Sequence, residues 1–329
     1  MHPNQARTDE RGQILVIVAG GVITLLLLAG LVLDGGIAFL NKRDGQNAAD
    51  TGALSGARLV AEHHTDATVV YTSADIYAGI DATVDANNCD GTGTPCTWEA
   101  NFVDTSYADL GAVTNVASAI PAQAVGVRVD VNRQPGTFLA RLANIQAWNV
   151  SAHGIAVATE PATAPPNQLL PIALKENTGA PYLFNQVYDL TDGKDIPGGF
   201  GYISWDGSNS ATSLETSLCT PNNPPFAMPT TFPGDPGKSN SSGVRACLDY
   251  WIDNGTTVLI PIYSTITGTG NNAVYTIVGV AAFTLASRAQ PAVDNIQGYF
   301  QKYYPYTSVP GGGVVPSEGS TVIMLSLAQ

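Results

Sequence analysis

Four cysteines, one histidine pair and one Asp/Ser-rich turn are the places in this chain where residue type and spacing could support chemistry. Cys89 and Cys96 bracket a turn-rich stretch, and Cys219 and Cys247 bracket a Pro-, Gly- and Ser-rich loop. Their even number suits disulfides of an oxidising compartment better than reactive thiols. A Cys89–Cys96 bridge is sterically feasible, and a Cys219–Cys247 bridge would staple its loop; the sequence leaves the connectivity open. Glu62-His63-His64-Thr65-Asp66 is the histidine cluster. Neighbouring residues on a helix point about 100° apart, so His63 and His64 do not share a face as i,i+4 ligands would. A solvated helix end is the favoured reading there. Asp206-Gly207-Ser208-Asn209-Ser210 follows an apolar stretch and reads first as a turn between two strands. Nucleophile elbow, Walker loop, zincin histidine pair and paired-cysteine zinc framework are all missing, so no catalytic residue and no cofactor is assigned.

The element that must position everything else is the apolar run over residues 14–33, ILVIVAGGVITLLLLAGLVL, which has no charge and a single hydroxyl at Thr24. A bilayer-spanning helix needs ~20 such residues. A cleavable signal peptide has an apolar core of only ~7–15 residues, so a retained transmembrane helix is the better reading. Residues 34–60 continue as a helix rich in small side chains. Ala48, Gly52 and Gly56 form one row at i,i+4, and Ala49, Ala53 and Ala57 form the next. Such rows let a neighbouring backbone approach closely. Each glycine costs up to ~1 kcal/mol relative to alanine, so this helix needs tertiary packing to persist.

Further on, the pattern predicts a helix over 68–84, strands over 97–103 and 125–131, a short helix over 136–142 and a strand over 147–158. That order implies an α+β layer, a helix packed on an antiparallel sheet, which resembles a pilin-like subunit by analogy. The Pro-rich stretch 160–166 breaks the composition. Beyond it, strands are expected at 169–174, 182–190, 201–205, 258–263, 274–285 and 322–327, with one helix at 243–252. A β-rich sandwich or barrel-like domain is the expectation. The division is a tail (1–12), a transmembrane helix (13–33), a helix extension with the α+β domain (34–159), a linker (160–168) and a β-rich domain (169–329).

Only 12% of residues are charged, against ~25% in typical soluble domains. The net charge is −13, which excludes nucleic acid as an expected partner for want of a basic patch. Arg7 and Arg11 before the run balance Lys42 and Arg43 after it, so the positive-inside count is a tie. The cysteines decide the orientation: a short cytoplasmic tail and an extracytoplasmic remainder.

Arg11-Gly12, the apolar run, Gly30-Leu31-Val32-Leu33-Asp34-Gly35-Gly36 and Gln46-Asn47-Ala48-Ala49-Asp50-Thr51-Gly52-Ala53-Leu54-Ser55-Gly56-Ala57 together resemble the N-terminal module of TadE/TadG-like proteins of the tight-adherence (Tad, or Flp) pilus apparatus. Residues 125–158 resemble the strand, Thr-Phe-Leu-Ala-Arg helix and closing strand of that family. Segments near Phe200 and Phe283 resemble C-terminal modules of some relatives. The resemblance implies a non-enzymatic, single-pass component of pilus assembly. Its expected partners are other Tad/Flp or envelope proteins, met through the N-terminal helix, and the lipid bilayer, with self-assembly as a further option. The alternative is a minor pilin built into a filament. Class III prepilins resembling this module are cut after a glycine and carry Glu five residues on; here Gly12 is present but the corresponding residue is Ile17. The Asp206 turn resembles the metal-binding loop of von Willebrand A-type domains, which implies Asp206, Ser208 and Ser210 as oxygen ligands for Mg²⁺ or Mn²⁺. That fold alternates strands and helices, whereas the sequence after Asp206 reads mostly as strands and turns, so the plain turn is favoured. The Tyr-rich stretch 299–306 is either a sticky surface or a packed strand edge, and the edge is favoured.

Overall fold

The computed structural model describes residues 11–66, 68–176, 183–184, 186–190, 201–235, 241–288, 296–303, 306–307, 316 and 321–328. A single helix, α1 (Arg11–Thr65), runs for 55 residues without a proline to break it. It stops where local bonds compete with the helix: the Asp66 carboxylate accepts from the Thr68 amide and hydroxyl at 3.0 and 2.6 Å. Helix α2 (Ser73–Val84) therefore starts five residues later than the pattern predicts. Its start is set by Asp75, which accepts from the Thr72 amide at 2.7 Å in a capping-box arrangement. One π-helical turn (Asp85–Cys89) with Asn88 at φ 62° leads into the Cys89–Cys96 disulfide, whose Cα atoms are 5.2 Å apart.

Strands β1 (Cys96–Val103), β2 (Asp109–Ala112), β3 (Gly126–Arg133) and β4 (Val150–Thr159) follow. The hairpin between β3 and β4 holds one 3-10 turn (Ala140–Ala143) where a helix over 136–142 is expected. After β5 (Thr163–Ala164), β6 (Leu174–Lys175) and β7 (Tyr188–Asp189) come α3 (Ala211–Cys219), β8 (Phe226–Ala227), β9 (Thr230–Pro233) and α4 (Ser242–Asn254). The chain ends in β10 (Thr257–Thr267), β11 (Val274–Ser287), β12 (Gln297–Phe300), β13 (Tyr306–Thr307) and β14 (Met324–Ala328).

One sheet has the order β13-β14-β4-β3-β1-β2, and a second has β6-β10-β11-β12-β7 with β9 paired to β11. The fold is α+β, with the long apolar helix packed on sheet and further sheet after it. No barrel closes among the described residues, which corrects the barrel-like expectation. The reason is visible in the second sheet, whose path ends in the two-residue strands β6 and β7. The last strand, β14, lies antiparallel beside β4, pairing Met324 with Thr159 and Ala328 with Ile155.

The chain forms two compact units. The first comprises Met1–Gly52, Asp81–Glu99 and Val129–Gly154, and the second Ala53–Ile80, Ala100–Arg128 and Ile155–Gln329. In the second unit, β10 and β11 are buried on both faces. Val258, Ile260, Ala281 and Phe283 pack with Leu214, Leu218 and Leu248 of α3 and α4. Leu259, Val280 and Ala282 face the other way, toward Leu169 and Val322. This explains the unbroken apolar runs in both strands. Helix α3 is absent from the sequence-based expectation. Its signals are Ser210, which caps Ser213 N–H at 3.0 Å, and buried leucines four residues apart. The Cys219–Cys247 disulfide ties the end of α3 to α4. Closing that loop is worth about 3.5 kcal/mol in the chain-entropy picture.

Candidate membrane anchor and docking seam

Residues 14–29 of α1 are all exposed, although nearly all are apolar. At 1.5 Å per residue the run 14–33 is about 30 Å long, the thickness of a bilayer's hydrocarbon core. Its only hydroxyl, on Thr24, is satisfied by Gly20 O at 2.8 Å, as a bilayer interior would demand. In residues 14–37 only Gly30 and Asp34 are buried. Both are covered by the β3–β4 hairpin.

The Asp34 carboxylate accepts three backbone N–H groups: Phe138 through Oδ1 at 2.5 Å, and Leu139 and Ala140 through Oδ2 at 3.1 and 2.7 Å. Hydrogen bonds from the Phe138 and Ala140 amides hold its carboxyl below the usual range. One turn earlier, a Cβ on Gly30 would lie 2.3 Å from Leu139 Cδ1, so the hairpin's leucine occupies the space glycine leaves. The Asp-x-Gly motif and the Thr-Phe-Leu-Ala-Arg motif are two halves of one clamp.

A second clamp lies further along. Gln46 Nε2 donates to His153 O at 2.7 Å and to Asp50 Oδ1 at 2.8 Å. Lys42 Nζ donates to Ser151 O. A Cβ on Gly154 would stand 2.7 Å from Asp50 Oδ1 and 2.8 Å from the Ala49 carbonyl, so β4 touches the helix backbone there. Burial pushes the Asp50 carboxyl up, partly offset by the Gln46 amide. Within Gln46-Asn47-Ala48-Ala49-Asp50, Gln46 holds a strand carbonyl and Ala49 leaves room for the strand.

Residues 12–59 match the family model described as "Putative Flp pilus-assembly TadE/G-like". Over these residues the chain is similar to that family. The match takes in both helix sides of the clamps, from Gly30 to Asp50, and it ends before α2. No curated protein and no solved structure matches the chain.

The small-residue rows within the matched residues are all buried: Ala48, Ala49, Gly52, Ala53, Gly56 and Ala57. Their neighbours include elements of this same chain. A Cβ on Gly56 would meet Val127 Cγ2 at 2.5 Å and Ile80 Cδ1 at 3.1 Å. Ser55 Oγ donates to Gly79 O at 3.0 Å, locking α1 to α2. The disulfides pair Cys89 with Cys96 and Cys219 with Cys247.

The other predicted positions have partners within the chain. His63 Nδ1 accepts from the Tyr71 amide at 3.3 Å, and His64 Nε2 donates to Ala124 O at 2.9 Å. Burial lowers the His64 pKa. Asp66 pairs with Lys302 at 2.6 Å, so this helix end is packed, where a solvated one is expected. Asp206 accepts from Ser208 N–H at 2.8 Å and from the Ser213 hydroxyl at 2.9 Å, while Ser210 caps α3. The motif is therefore a turn into a helix, and its expected position between two strands is corrected. In the Tyr-rich stretch, Phe300 is buried and Tyr299 pairs with Thr284; Tyr304 and Pro305 lie outside the described residues, as do residues 1–10 and Phe200.

Proposed function

We propose that the chain is a non-enzymatic, single-pass, TadG-like component of Tad/Flp pilus assembly or a related surface apparatus. The observation that carries this reading is the exposed apolar run 14–33 passing without a break into a helix clamped on its own sheet. In this reading residues 1–12 are a cytoplasmic tail and 13–33 cross the membrane. Residues 34–159 form the pilin-like part, 160–168 a linker and 169–329 a β-rich part, all outside the cytoplasm. Because the small-residue rows already pack within the chain, a partner helix meets α1 through the uncovered side chains of the run. Two disulfides support the extracytoplasmic assignment.

The second reading, a minor pilin, is favoured by Gly12 standing just before the run and by the half-free, half-docked helix. Ile17 counts against it, because a prepilin-like Glu at that position is missing. A buried charge in a membrane helix is costly unless paired, so its loss removes a means of fixing subunit register. The two readings part at the native N terminus. Mass spectrometry of the chain from membranes should find a start ahead of Gly12. A start at Gln13, in material sheared from the cell surface, would replace the anchor with a processed filament subunit.

A further inference from the structure

The β3–β4 hairpin is hydrogen-bonded across itself and nevertheless turns apolar side chains outward. Thr137 N–H donates to Gln146 O at 3.0 Å, Trp148 N–H to Pro135 O at 3.0 Å and Asn144 N–H to Arg141 O at 2.9 Å. The Thr137 hydroxyl donates to Ile145 O. Yet Phe138, Leu142 and Ile145 are 67, 82 and 40% exposed. A hairpin gains nothing in water from presenting three large apolar groups together. Its position supplies the reason. Leu139 fills the notch at Gly30, and Asp34 holds the amides of residues 138–140, so the hairpin tip sits against the last turn of the apolar run. Gly30 lies three residues inside the end of that run, which is about 4.5 Å of depth.

We infer that the tip of this hairpin is a second membrane contact, with Phe138, Leu142 and Ile145 entering the outer leaflet of the bilayer that α1 crosses. The proposal rests on the anchor reading above. The run and the tip meet at the Gly30–Leu139 contact, so lipid around the end of the run lies within reach of the tip. The exposed Arg141 beside them is the kind of side chain that meets lipid phosphates at the membrane boundary. Asp34, which would be costly at the membrane boundary without partners, has its charge taken up by the hairpin amides. The device fixes the angle between the helix and the rest of the first unit at the membrane surface.

The test uses the full chain in nanodiscs of phosphatidylethanolamine and phosphatidylglycerol. All four native cysteines are paired, so an introduced cysteine is the only free thiol for a nitroxide label. Labels are placed by Leu142→Cys, with Ile145→Cys as a second reporter at the tip. Ile23→Cys reports the anchor, and Thr92→Cys reports the groove beside Asp44. The expected result is that oxygen relaxes the labels at 142, 145 and 23 severalfold more effectively, relative to a water-soluble nickel chelate, than it relaxes the label at 92. If positions 142 and 145 match 92 while 23 reports lipid, the anchor stands and this inference is wrong. If position 23 also favours the chelate, the anchor reading falls and takes the inference with it.

Discussion

Replacing Gly154 by alanine should destabilise the folded chain by about 2–3 kcal/mol, the upper part of the range for overpacking a tight contact. The added carbon would sit 2.7 Å from Asp50 Oδ1 and 2.8 Å from the Ala49 carbonyl atoms. Two of those atoms are helix backbone, which cannot swing aside as a flexible side chain could. Relief would require β4 to withdraw from α1, and that withdrawal would lengthen the Gln46–His153 and Lys42–Ser151 hydrogen bonds in the same segment. The comparison is Gly36→Ala, where an added Cβ meets nothing within 4 Å and the helix gains up to about 1 kcal/mol from propensity. Urea unfolding of both variants in detergent measures the contrast. Equal midpoints would mean that the Gly154 contact is loose.

Asp34→Asn should release the hairpin. The carboxylate accepts through both oxygens, one for Phe138 and one for Leu139 and Ala140. An asparagine keeps one acceptor and turns an NH₂ donor toward the remaining N–H groups. Hydrogen exchange at residues 138–140 should accelerate on the order of a hundredfold, consistent with losing hydrogen bonds to a charged acceptor. The pH dependence follows from the direction of the shift. The Asp34 pKa is lower in the folded chain than in the unfolded one, so the clamp's contribution is present in full above the ordinary aspartate range. It is lost as pH falls through the depressed value. After correction for intrinsic exchange, the wild-type amides should stay protected through the mildly acidic range and lose protection only below it. The asparagine variant should show no such step. A step of equal size in both chains would assign it to another group, such as Asp66 or His64.

The parts of this molecule that were legible in sequence are those written locally. An uncharged apolar run announces itself by composition, and the small-residue rows announce close packing. Alternation gave β3, and the unbroken apolar runs gave β10 and β11. What the rows pack against was not legible, because Ile80, Val127 and Gly154 reach them only in the folded chain. Both clamps join segments about a hundred residues apart, so Asp34 and Gln46 read as motif letters with no assigned use. Helix α3 is signalled by Ser210, Leu214 and Leu218, but the Asp206 motif just before them suits a turn between strands equally well. The pairing of β14 with β4 leaves no trace in either segment, since any short apolar strand could have filled that place.

The central claim is that the run 14–33 spans a membrane with the clamped remainder on the outer side. All five lysines, at positions 42, 175, 194, 238 and 302, lie beyond the run. A membrane-impermeant amine reagent applied to sealed, right-side-out membranes therefore reads the orientation directly. The account predicts modification of the exposed Lys175 without detergent, to the same extent as after solubilisation. Labelling that appears only once detergent opens the vesicles would put the body of the protein inside and contradict the account.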